Sequence, residues 1–449
     1  MGERQPKSNY EGKDHRPSKK NKKLDPHGMT NHRKIALALS IIPGFGQFYN
    51  KQWLKGSAFF ILMASFFIAF SDLLQFGFWG LFTLGTDPNY DHSIVLLVEG
   101  ILTLIVTILG LGVYAFNLRD AFKVGKQRDL NEEPNSIRQQ YQNLVGGGFP
   151  YLMMTPGFLL LVFVVIFPIL FVVLLSFTNY DLYHSPPANL VDWVGFQNFI
   201  EIFNIPIWRD TFFSVLAWTV IWTFGATTLQ IALGIFLAVL MNQKGIILQK
   251  TIRTIFILPW AVPAFVSILV FAGMFNETFG TINRDILAAF GLGDIPWLTN
   301  PTYTKIALIM IQTWLGFPFI FAMVTGVLQS IPNELYEAAD VDGASIFQKF
   351  RSITLPLVLY ATAPIMITQY TFNFNNFNVI FLFNGGGPAV PNQNAGGTDI
   401  LISWIYNLTM TSAQYGKAAA ITMILSLIVI TVALWQFRRT KSFQEEDMM

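Results

Sequence analysis

The sequence predicts an all-α membrane protein with eight transmembrane helices and both termini in the cytoplasm. Three observations carry that expectation. Of 449 residues, 53% are hydrophobic and 12% charged, a balance that belongs to integral membrane proteins rather than soluble domains. Eight stretches meet the requirement of about 20 mostly apolar residues per bilayer crossing: 57–82, 93–117, 150–177, 211–241, 252–275, 304–329, 357–383 and 417–437. Lys and Arg fall on alternate connections, as the positive-inside rule requires; 23 of the 29 lie on the side of the N-terminus.

Residues 1–34 are polar and basic and lack the apolar core of a secretory signal, so they read as a disordered cytoplasmic tail. Its cluster "KKNKK" at 19–23 is first a topology anchor and second a contact for anionic membrane lipid. In 35–117 an apolar segment broken by Pro43, Gly44 and Gly46 predicts an interfacial hairpin, followed by two spans. The polar stretch 118–149 reads as a cytoplasmic linker, and its closing "GGG" as a boundary. A six-helix core follows at 150–437, then a cytoplasmic tail at 438–449.

Composition also excludes chemistry. There is no Cys, and the five His are scattered without metal-ligand spacing. No G-x-x-x-x-G-K-[ST] occurs, "VGKQ" at 124–127 lacking both the earlier Gly and the hydroxyl residue. No cofactor, metal or nucleic acid partner is expected for this chain, and energy for any uphill transport has to come from another subunit.

The connection at 329–357, "QSIPNELYEAADVDGASIFQKFRSITLPL", faces the cytoplasm on the charge argument. Pro332 suits a helix start, Glu334 complements the N-terminal dipole and Gly343 is a stop. Leu335, Ala338, Ala339 and Asp342 recur at helical spacing, giving a narrow face of small groups that suits a groove on another protein. "EAADVDGASIFQKFRSITLP" resembles the EAA loop of ABC importer permeases: Glu337, Ala338, Ala339, Gly343, Ile353, Leu355 and Pro356 match in type and order. The resemblance implies a coupling helix docking into the cleft of a cytoplasmic ATP-binding dimer, which would bind ATP and Mg. Glu337 would be its polar contact and Gly343 its turn, with Ala338, Ala339 and Asp342 on the docking face.

"QYTFNFNNFNVIFLFNGGGP" at 369–388 places five asparagines and a glutamine in or beside an apolar span. On a helix advancing about 100° per residue, Gln369, Phe372, Asn373, Asn376 and Ile380 share a face. Asn375 and Asn378 point elsewhere and are expected to bond neighbouring helices. A second strip, Gln312, Leu315, Gly316 and Phe319, lies on the preceding span, where Pro318 loosens the backbone. Amides beside an aromatic ring, without charge, suit a neutral sugar; ordinary helix-to-helix packing of polar groups is the competing reading.

"TWLGFPF", "LYEAADVDGA", "ITLPL" and "FNFNNF", in that order and spacing, resemble the maltose/maltodextrin permease subunits of the MalF type from about residue 150 to the C-terminus. That resemblance implies an ABC type I importer permease fold in the last six spans. It places the sugar contacts on Gln312, Leu315, Gly316 and Phe319 and on Gln369, Phe372, Asn373 and Asn376. Phe319 stands where the family has tyrosine, and Gln369 where it has serine. The implied partners are a second, MalG-type permease, the ATP-binding subunit dimer, and an extracellular solute-binding protein that delivers malto-oligosaccharide. The short outer segments fit the compact Gram-positive form, in the cell membrane. Cyclodextrin and galacto-oligosaccharide share the same polar-aromatic logic. An ion-coupled carrier is disfavoured because only Glu99 lies clearly within a span, and a membrane enzyme because no His-carboxylate-nucleophile cluster appears.

Overall fold

The computed structural model describes residues 31–243 and 245–439. The basic cluster at 19–23 and residues 440–449 of the C-terminal tail lie outside the described residues. The described chain is helical apart from two isolated bridges, Thr178 with Trp193 and Ala389 with Gly396. Among the described residues six helices are long and apolar enough to cross a membrane, and eight spans result if each of two bent pairs counts as one.

In chain order the helices are α1 (His32–Leu39), α2 (Phe45–Tyr49), α3 (Trp53–Ala69), α4 (Ser71–Thr83), α5 (Ser93–Asp129), α6 (Ile137–Val145), α7 (Phe149–Leu175), α8 (Gln197–Asn204) and α9 (Pro206–Met241). They continue with α10 (Gln249–Ala261), α11 (Ala264–Met274), α12 (Pro301–Ser330), α13 (Asn333–Val341), α14 (Ile346–Lys349), α15 (Leu355–Phe374), α16 (Phe377–Asn384), α17 (Leu401–Met410) and α18 (Tyr415–Arg439). The bent pairs are α3 with α4, at 54°, and α10 with α11, at 93°. Pro263 explains the second bend: the residue before a proline is driven out of the helical region, and Val262 is extended at ψ 133°.

Two expectations change. Residues 118–129, read as linker, continue α5, and Ser136 opens α6 through a capping box with Gln139. The span expected at 357–383 lies within one membrane-length stretch, Ile346–Asn384, but its helix is interrupted between α15 and α16 at Asn375 and Asn376. Asparagine side chains compete with the backbone for hydrogen bonds, and the Asn375 amide turns back to the Thr371 carbonyl at 3.3 Å.

The described chain forms two compact units. One comprises residues up to Leu74 with Leu104–Phe158; the other comprises Gln75–Thr103 with residues from Leu159 onward. The division thus falls inside α7 and not at the glycine run.

In the first unit the interfacial segment is two short helices folded onto α5. Gly44 turns between them at φ +87°, and a Cβ there would meet the Gly56 carbonyl oxygen at 2.2 Å. Asn117 on α5 zips them down, accepting from the Gly44 N–H at 3.1 Å and donating to the Ser40 carbonyl at 3.1 Å.

The second unit is organised on α9, which packs along α12 and against α15. Its buried face bears Val215, Trp218, Trp222, Ala226, Gly234 and Ala238. Gly234 lies at the crossing with α12, where a Cβ would stand 2.6 Å from the Ile320 Cβ; small residues at such crossings let helices approach closely in a membrane. Trp222 fills the core of this contact and donates its indole N–H to the Asn373 carbonyl at 2.9 Å.

Candidate functional site

The site begins with a polar stripe that sequence reading missed. Thr219, Thr223, Thr227 and Gln230 follow at steps of four, four and three along α9 and are all buried. The first two hydroxyls donate to the carbonyls one turn back, at 2.7 Å. Thr219 Oγ1 also accepts from the Leu401 N–H of α17 at 3.0 Å, and Thr227 and Gln230 engage α12 and α15. The helical spacing of these polar residues was the available signal, masked by the bulky apolar residues between them.

Four of the eight residues expected to contact substrate meet in one hydrogen-bonded network with that stripe. Gln312 Nε2 donates to Asn373 Oδ1 at 2.9 Å and to Gln230 Oε1 at 3.3 Å. Asn376 Nδ2 donates to Gln312 Oε1 at 3.0 Å and, more weakly, to Asn373 Oδ1 at 3.4 Å. Asn373 Nδ2 reaches Thr227 Oγ1 at 2.8 Å and Gln230 Oε1 at 3.4 Å. Gln230 Nε2 reaches Gln369 Oε1 at 3.4 Å. No ionisable group takes part in these bonds.

Within this set the residues differ in what they can offer a ligand. Asn373 is fully buried with both polar atoms engaged, so it ties three helices together. Gln369 is half-buried, and its engaged atom is the carbonyl oxygen, leaving its NH₂ group as a donor. Asn376 has its NH₂ engaged and keeps Oδ1 as an acceptor. Phe372, next to Asn373 on α15, is 62% exposed. On α12, Leu315 packs against the core around Trp222 and is half-buried; Phe319 is half-buried with its ring edge-on to Trp260, centroids 6.0 Å apart. Gly316 abuts Gln230: a Cβ would sit 2.0 Å from Gln230 Oε1.

Asn375 and Asn378 do not bridge to neighbouring helices as expected. Both are exposed, and the one side-chain bond of Asn375 stays within its own helix. The helical wheel still orients them, since Asn373, Asn376 and Ile380 are buried on one face and Asn375 and Asn378 stand off it.

The loop 329–357 forms α13, a turn, and α14 running on toward α15. Gly343 makes the turn at φ +73°, and Ser345 caps α14 through a capping box with Gln348. Glu337, Ala338, Asp342 and Gly343 are exposed and Ala339 half-buried. Around them stand apolar side chains in the open, Val341 at 89%, Ile346 at 72% and Phe347 at 67% exposed. The loop is held to its base by Tyr336 Oη and Thr354 Oγ1, 2.9 Å apart, and by the Lys349–Asp340 ion pair. An exposed apolar patch edged by polar groups is the form of a protein-docking surface.

Two carboxylates outside the spans are held by hydrogen bonds of their own. Glu277 Oε1 accepts from the Thr299 hydroxyl and the N–H groups of Leu298 and Thr299. Asp399 is buried in the loop before α17, accepting from the Gly396 N–H at 2.8 Å and the Ser403 hydroxyl at 2.7 Å.

Residues 230–441 match the family described as binding-protein-dependent transport system inner membrane component. The chain is 63% identical over 415 residues to the galactooligosaccharides transport system permease protein GanP of Bacillus subtilis (strain 168), covering 92% of this chain and 99% of that one. It is 50% identical over 434 residues to the maltodextrin transport system permease protein MdxF of the same organism, covering 94% and 99%. Among solved structures, its fold is similar to that of a bacterial ABC transporter involved in the import of the acidic polysaccharide alginate. The TM-score is 0.54 at 20% identity, over 66% of this chain and 96% of that chain.

Proposed function

We propose that this chain, which belongs to the binding-protein-dependent transport system inner membrane components and is a multi-pass permease of an ABC sugar importer, carries a neutral oligosaccharide through the network between α9, α12 and α15. The observation that supports this most is the Gln369 donor and Asn376 acceptor held beside exposed Phe372, with no charge in the bonded network. Sugar hydroxyls exchange hydrogen bonds with amides, and the apolar face of a pyranose stacks on an aromatic ring.

The first substrate reading is galacto-oligosaccharide, supported by the 63% identity with GanP. The second is maltose or malto-oligosaccharide, supported by the retained amide strip and by the 50% identity with MdxF. Gln369 and Phe319 bear on the choice, since each alters a polar group at the edge of the strip.

In this reading the chain is one half of a two-permease pore and performs no hydrolysis. A MalG-type permease completes the ring around the sugar. An ATP-binding dimer, holding ATP and Mg, takes Val341, Ile346 and Phe347 into its clefts beside Glu337, Ala338, Ala339, Asp342 and Gly343. An extracellular solute-binding protein delivers the sugar, and both termini of the chain are cytoplasmic. ATP-driven closure of the dimer switches the pair between inward-open and outward-open states.

The test is uptake of radiolabelled galacto-oligosaccharides, malto-oligosaccharides and a cyclodextrin by cells in which this chain, with its partner subunits, is the sole importer. Uptake of at least one series is expected to disappear on ATP depletion. Preference for the galacto series favours the first reading, and preference for the malto series the second. Uptake that survives ATP depletion and collapses with an uncoupler would refute ATP coupling.

A further inference from the structure

We infer that Gly316 serves the site by admitting Gln230, and that Gln230 is the positioning residue that sets which polar atoms Gln369 and Asn376 turn toward a substrate. The inference rests on the neutral-oligosaccharide reading above and identifies a residue of α9 outside both sequence strips.

Gln230 is fully buried and touches three partners that belong to two other helices. Its Oε1 accepts from Gln312 Nε2 and Asn373 Nδ2, and its Nε2 donates to Gln369 Oε1. An amide has a donor end and an acceptor end, so each such bond fixes the orientation of the next. Because Gln230 claims the oxygen of Gln369, Gln369 presents its NH₂. Because Gln312 gives its own NH₂ to Gln230 and Asn373, its oxygen takes the NH₂ of Asn376, and Asn376 presents Oδ1. The result is one donor and one acceptor, the pattern that matches a sugar hydroxyl pair.

Gly316 is what makes room. A Cβ there would lie 2.0 Å from Gln230 Oε1 and 2.5 Å from its Cδ, but 3.2 Å from its Cβ. The severe obstruction is therefore with the amide head, and the stem makes a tight contact that a shift of a few tenths of an ångström relieves. Alanine at 316 expels the head of Gln230, and the orientation of the whole chain of amides goes with it. Shortening residue 230 to alanine removes the clash with the head and leaves only the tight contact with the stem.

That reciprocity gives a test by double-mutant cycle, because residues acting through one contact lose additivity. Uptake of a galacto-oligosaccharide and of maltotriose is measured in cells carrying the complete importer, normalised to the amount of this chain in the membrane. The variants are Gly316→Ala, Gln230→Ala and the pair together. Each single change is expected to lower uptake roughly tenfold, the scale of a lost buried hydrogen bond with an unpaired partner. The double variant is expected to equal Gln230→Ala alone, where independent effects would multiply to roughly a hundredfold. The ratio between the two sugars should shift by the same factor in both single variants, whereas a purely structural defect lowers both sugars alike. If Gly316→Ala fails to accumulate in the membrane, the double variant should accumulate. Multiplicative losses, an unmoved sugar ratio, or a double variant as deficient as Gly316→Ala would overturn the inference. Wild type that carries neither sugar would instead overturn the substrate reading.

Discussion

The amide network and the loop 329–357 place polar residues in opposite situations. In the network Gln230, Gln312 and Asn373 are buried and spend their hydrogen bonds on one another. In the loop Glu337, Asp342 and the apolar Val341, Ile346 and Phe347 stand exposed, with few bonds back to the chain. A buried amide acts only as a member of its set, because each unmade bond in a low-dielectric interior costs free energy. An exposed loop residue acts alone, on whatever docks there. The difference teaches where mutation should be felt: as lost assembly in the first region, as lost coupling in the second.

The largest effect should come from Asn373→Leu. It removes bonds to Thr227, Gln230, Gln312 and Asn376 at one stroke. At about 0.6 kcal/mol for each polar contact inside a membrane bundle, the loss is about 2 kcal/mol. The purified chain should melt earlier, and less of it should reach the membrane. An unchanged melting point would mean the network bears no load, and the contrast between the two regions would collapse.

That contrast also explains what the sequence disclosed. The loop was legible because its signals are local: Pro332, Glu334 and Gly343 specify a start, a charge preference and a stop within a few positions. Most of the spans were legible because hydrocarbon thickness fixes their length. The network was only half legible. Its amides on α12 and α15 stood out, but their hub lies 82 positions before Gln312 and 143 before Asn373, on a helix whose threonines looked unremarkable among tryptophans. At Asn375 and Asn378 the helical wheel oriented the side chains, off the face of Asn373, Asn376 and Ile380, but it could not say whether another helix stands within their reach. The overlong α5 was hidden because a charged stretch can continue a helix beyond the bilayer as easily as end it.

A smaller effect, and of another kind, is expected from Gly343→Val. A Cβ at 343 would meet no atom within 4 Å, so the penalty is confined to the backbone, which sits at φ +73°. Holding a β-branched residue there costs about 1–2 kcal/mol. That is enough to tilt α13 against α14 while the buried core is untouched. Uptake should fall roughly tenfold, with melting point and membrane amount near wild type; Gly343→Asn, which tolerates this backbone region, should retain most uptake. Equal loss in both variants would show that more than the turn is at stake.

The smallest effect extends the comparison to two carboxylates outside the spans, and its sign differs between them. Burial pushes Asp399 above its ordinary range, and the donors Ser403, Gly396 and Asn407 only partly oppose this. The folded chain therefore holds a proton that the unfolded chain releases. Stability from this group is fully present below the unfolded value of 3.8 and lost as pH rises through the raised value. At Glu277 burial also pushes upward, but the Thr299 hydroxyl and the N–H groups of Leu298 and Thr299 outweigh it and hold the carboxyl below its ordinary value. Its stability is present above 4.5 and lost as pH falls through the lowered value. On acidification from neutral pH, wild type should thus gain thermal stability relative to Asp399→Asn and, at the acid end, lose it relative to Glu277→Gln. Melting curves of the three proteins across pH separate the two slopes. If both differences move in the same direction, burial at Asp399 does not dominate its donors, and it joins Glu277 as a carboxylate stabilised by its hydrogen bonds.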